Sequence, residues 1–146
     1  MKVMALVMGG LLLASPALCG DSFPGTEYVS GKGGLQNKVK GTLLIEENEV
    51  RFLAGNGGVV FSIPMTTVVK AADSKERDEG SFGRKAALGI FASKTEEFLQ
   101  VETQSEQGAE AVIFKCKKKT APGMAAKINF YASKLREQRA ANASGK

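Results

Sequence analysis

The side chains best placed to do chemistry in this sequence are cations and a thiol. Lys115, Lys117, Lys118 and Lys119 form its densest basic run. Such a patch attracts anions: nucleic acid, a lipid headgroup or an acidic glycan. No aromatic residue is interleaved among these lysines, so the stacking platform of a single-strand binder is missing. A solvated strand end explains the run more simply. Cys116 lies within it, yet it alternates with Val112 and Phe114, which predicts an inward-facing, inert thiol. Flanking lysines would lower its pKa only if it were exposed.

The second basic cluster brackets an apolar stretch. Arg84, Lys85 and Lys94 enclose Leu88, Ile90 and Phe91. This arrangement fits a segment that dips into an anionic membrane surface or covers a partner's groove. It equally fits a short element packed on the domain with its basic flanks reaching water, the commoner fate of short apolar runs.

The sequence excludes much catalytic chemistry. It contains no histidine. Imidazole general bases, Ser-His-Asp and Cys-His nucleophiles and imidazole zinc sites are therefore ruled out. The acidic runs Glu46-Glu47-Asn48-Glu49 and Asp73 to Glu79 lack the ligand alternation of a calcium loop. The glycine-rich stretches lack the lysine-serine/threonine ending of a phosphate loop. No catalytic, metal-binding or cofactor-binding constellation is expected, and the chain does not read as an enzyme.

The elements that must position these residues are strands. Seventeen glycines and no tryptophan suit a turn-rich β protein. Across residues 38–74 apolar residues alternate: Val39, Gly41, Leu43 and Ile45; then Val50 and Phe52; then Val59, Phe61 and Ile63. A period of two marks half-buried strands. Strands are predicted at 38–45, 49–54, 59–63, 66–72, 94–103 and 110–117, with a short one at 27–30. Pro64 marks a strand end or edge. Thr120 is the predicted helix N-cap with Pro122 in the first turn. Met124, Ile128, Tyr131 and Leu135 then form an apolar stripe on a helix ending near Arg139.

Lys2 followed by the apolar run 3–14 and the small-residue stretch 14–20 has the layout of a secretory signal peptide. Cleavage after Ala17 and after Cys19 both fit, and bulky Leu18 disfavours a lipoprotein box. The predicted organisation is a signal peptide at 1–19, a Gly/Ser-rich lead-in at 20–37, a domain at 38–139 and a disordered tail at 140–146. Export places the mature chain in the periplasm or outside the cell. Cys116 is then its lone cysteine, so the domain must stand on packing without an internal disulfide.

Strands followed by a closing helix, together with particular residues, resemble the pleckstrin-homology-like (PH-like) superfold and its GRAM-like branch. The residues are Lys40-Gly41-Thr42-Leu43, Val50-Arg51-Phe52, Phe61-Ser62-Ile63-Pro64, Thr67-Val68-Val69 and Lys94 to Leu99. The resemblance implies a mainly β fold: an antiparallel barrel of six or seven short strands closed by a C-terminal amphipathic helix. It implies no phosphoinositide grip, because the first hairpin turn is acidic where that grip is basic. Residues and resemblance together lead to an expected non-catalytic binding or scaffold module. Its partner would be a protein, a peptide or a membrane surface, and not nucleic acid. The alternative is a carrier of a small apolar ligand. Oligomeric state is not legible.

Overall fold

A computed structural model describes residues 20–32, 35, 38–73 and 97–145. The chain forms β1 (Asp21–Ser30), β2 (Val39–Ile45), β3 (Glu49–Ala54) and β4 (Val59–Pro64). A 3₁₀ turn (Met65–Thr67) leads to β5 (Val68–Asp73), β6 (Glu97–Ser105), β7 (Gly108–Cys116) and α1 (Ala121–Ser144). The mainly β class with a C-terminal helix is therefore observed. All seven described strands join in one sheet of order β4-β3-β2-β1-β7-β6-β5, and every pairing among them is antiparallel.

Among the described residues the expected closure into a barrel is not seen: β4 and β5 are the two ends of the sheet. The sheet nevertheless curls strongly. Laid flat, its end strands would stand about 29 Å apart. They are joined through Met65–Thr67 alone, a link reaching no more than about 14 Å. Phe61 on β4 and Phe114 on β7 would be about 19 Å apart in a flat sheet, yet their rings stack at 6.1 Å. Tyr28 and Phe52 complete this aromatic cluster, with centroids 5.4 to 6.3 Å apart. The concave face is thus filled by interlocking rings, with Leu43, Ile45, Val50, Ile63, Leu99 and Val101 around them.

The predicted alternation holds where the ladder is regular. Leu43, Ile45, Val50 and Phe52 are fully buried. It fails at Val59, which is 57% exposed. The register shifts between the Phe52–Phe61 and Leu53–Val59 pairs. This bulge turns Val60, rather than Val59, against the core.

β1 is the largest departure from expectation. The supposed lead-in holds a ten-residue strand that pairs with β2 along one edge and β7 along the other. Its Gly and Pro residues concealed it. Pro24, which has no N–H, and Gly25, at φ 75°, sit at an irregularity in the ladder with β2. Beyond β1 the chain leaves through Gly31 at φ 115°. A Cβ there would stand 2.1 Å from the Ala111 carbonyl oxygen, so only glycine fits. Tyr28 Oη fixes this exit by accepting from Lys32 N at 2.7 Å and donating to Lys32 O at 3.2 Å.

The other face of the sheet carries a smaller buried cluster of Val29, Phe98 and Ile113. On the concave side α1 lies against β5, β6 and the 3₁₀ turn. Met124 and Ile128 are buried as predicted, joined by Ala121, Ala125 and Ala132, while Tyr131 and Leu135 are partly buried against the core. Thr120 does not cap with its side chain; its hydroxyl donates to Lys117 O at 2.6 Å. The Glu97 carboxylate from β6 instead accepts from Ala121 N at 3.4 Å, near the positive end of the helix. The helix continues past Arg139 to Ser144, so residues 140–144 are helical rather than a disordered tail.

Candidate functional site

The basic run does not converge into a pocket. Lys115 lies on β7 beside Glu27 of β1, and Glu27 also faces Lys40 of β2. These cross-strand neighbours alternate in charge, which favours mutual pairing over a shared anion. Lys117, Lys118 and Lys119 are exposed in the turn between β7 and α1. Lys119 holds φ 69° there, an uncommon conformation for a residue with a side chain. Arg84, Lys85, Leu88, Ile90, Phe91 and Lys94 lie outside the described residues.

Cys116 is buried, as its alternation predicted. Its Sγ faces Met124 Sδ at 3.6 Å. Burial pushes the thiol up to about 12, with a smaller upward push from the Glu97 charge and a downward one from a backbone hydrogen bond at Leu99. A thiol held this way is no nucleophile at neutral pH. Among the described residues, no group of three or more His, Cys, Asp or Glu residues could hold a metal ion. No described helix is long and apolar enough to cross a membrane.

The acidic first turn has structural work. Glu46 accepts from Arg51 Nη2 at 2.5 Å, and Glu49 lies 3.2 Å from Arg51 Nε. The hydrogen bond to Glu46 raises the Arg51 pKa, outweighing desolvation. Glu47 pairs with Lys134, tying the turn to α1, and Asp21 pairs with Lys127. The hairpin thus presents carboxylates already engaged with cations of its own chain.

What remains is the pair of sheet ends, and they differ. β5 shows Ala71 to α1: Asn129 Oδ1 accepts from Ala71 N at 2.7 Å, and Asn129 Nδ2 donates to Ala71 O at 2.8 Å. Arg136 Nη2 donates to Val69 O at 3.3 Å. β4 has β3 on one side and no described strand on the other. Val59, Val60, Phe61, Ser62 and Ile63 carry no charge, and Val59, Ser62 and Pro64 are exposed. An edge of this kind, without lysines to blunt it, is a template for an added strand.

Sequence reasoning named neither Asn129 nor Arg136. A signal existed for the first: asparagine is a poor helix former, yet Asn129 sits mid-helix between Ile128 and Phe130. No protein-family profile and no curated protein matches the chain.

Proposed function

We propose that this chain is an exported, non-catalytic binding or scaffold module of PH-like, GRAM-like type that recognises a protein or peptide by strand addition. The observation that carries the reading is β4: an uncharged outer strand with Val59 exposed, backed by a rigid aromatic core. Main-chain hydrogen bonds at such an edge supply affinity, and alternate side chains supply selectivity. The strand order and the closing helix support the PH-like resemblance. The layout of residues 1–20 supports export. The engaged acidic hairpin weighs against an inositol-phosphate ligand. The rings packed around Phe114 weigh against the carrier alternative, which needs room for an apolar molecule.

A photo-crosslinking residue at Ser62, installed in the full chain in its own host, tests this. The expected result is a discrete protein adduct that Val59→Lys abolishes while the variant stays folded. No adduct at Ser62, or one indifferent to Val59→Lys, would sink the strand-addition reading. An adduct-free protein that instead sediments with anionic vesicles would transfer the function to a membrane surface.

A further inference from the structure

The two hydrogen bonds between Asn129 and Ala71 have the form of a strand pairing. In an antiparallel ladder, a residue turns its N–H and C=O together toward one neighbour, and the next residue turns both the other way. Ala71 faces Val101 of β6 in register, but gives both groups to the Asn129 amide at 2.7 and 2.8 Å. A primary amide offers one acceptor and adjacent donors, so Asn129 supplies what a backbone residue of a further strand would supply. The contact is partly shielded from water, and Ala71 itself is fully buried.

Arg136 extends the contact along the edge. It reaches Val69 O, at the irregular step of the β5–β6 ladder between Val68 and Lys70, where Val69 has no register partner on β6. Asn129 and Arg136 are separated by about 10 Å of helix rise, whereas Val69 and Ala71 are about 7 Å apart along the strand. Helical side chains lean toward the N-terminus, which shortens the gap. The Arg136 side chain does so: its Nε donates to Ala132 O at 3.2 Å, one turn back. The helix therefore runs antiparallel to β5 and engages its backbone at two places.

We propose that α1 acts as a stand-in strand that keeps β5 from pairing with β5 of a second copy of this chain. A strand edge is self-complementary about a two-fold axis, so a bare β5 would meet its own match on every other molecule. Val69, half exposed at 50%, adds apolar area to that edge. Docking of Asn129 and Arg136 occupies the hydrogen-bonding positions that such a partner needs. Helix docking thereby controls self-association, whatever β4 binds.

The test compares the full chain with Asn129→Ala and with Asn129→Ala/Arg136→Ala. Hydrogen exchange of the Ala71 amide and sedimentation velocity over a concentration series are the readouts. Losing the amide partner should speed Ala71 exchange about tenfold, leaving the Val112 amide in β7 unchanged. The double variant should form a concentration-dependent dimer under conditions where the wild type is monomeric. A folded double variant that stays monomeric, or that exchanges Ala71 at the wild-type rate, overturns the proposal. So does a wild-type dimer paired through β5. If the double variant does not fold, Arg136→Ala alone, a surface change, is judged by the same sedimentation criterion.

Discussion

At the scale of single residues, Cys116 shows how position overrides composition. It stands between Lys115 and Lys117, which would activate an exposed thiol, but strand alternation turns it toward Met124. Its pKa rises from an ordinary 9.0 to about 12, chiefly by desolvation. The folded chain thus keeps this proton after the unfolded chain has released it. The associated stability is complete below pH 9.0 and is lost as pH climbs toward 12. Urea midpoints should therefore fall more steeply across that window in the wild type than in Cys116→Ala. A thiol reagent at pH 8 should label the wild type only after denaturation. Inward alternation was legible in the sequence here. The Asn129–Ala71 pairing was not, since its partners lie 58 positions apart and their meeting depends on how the whole sheet curls.

Elements were legible in proportion to the regularity of their pattern. β3 was read at its observed bounds, Glu49–Ala54, because its alternation is unbroken. β1 was read only in its last four residues, because an irregularity at Pro24-Gly25 breaks the period. Val59 was misassigned for the same reason, an irregular step that sequence alternation does not reveal. The helix stripe was found, but the alanines that let α1 approach the sheet, Ala121, Ala125 and Ala132, are silent in a pattern of large apolar residues. The far end of α1 is different in kind: every residue from Arg136 to Ser144 is exposed. Deleting residues 140–146 should cost less than about 0.5 kcal/mol. Ile128→Ala, one turn past Met124, should cost about 3 kcal/mol. Urea unfolding of the two variants measures both.

At the scale of the molecule, the rings of Tyr28, Phe52, Phe61 and Phe114 bind the β4 end of the sheet to its middle strands, β1 and β7. Phe114 touches the other three, so it couples β7 to β1, β3 and β4 at once. Phe114→Ala should cost about 4 kcal/mol, a large part of a small domain's stability. The expected signature is a lowered urea midpoint with probes on β3 and β6 still melting together. Separate transitions would show instead that the halves stand independently. The mainly β class was readable because alternation is local. The open edge was not, because closure depends on whether the first and last strands of a curl come within hydrogen-bonding reach.

The place of β1 has a consequence for the life of the polypeptide. Its second neighbour, β7, is the last strand to be made. A nascent chain stalled anywhere before residue 116 holds an N-terminal strand with one flank bare. The centre of the sheet is therefore completed last, when β7 closes against a strand made almost ninety residues before it.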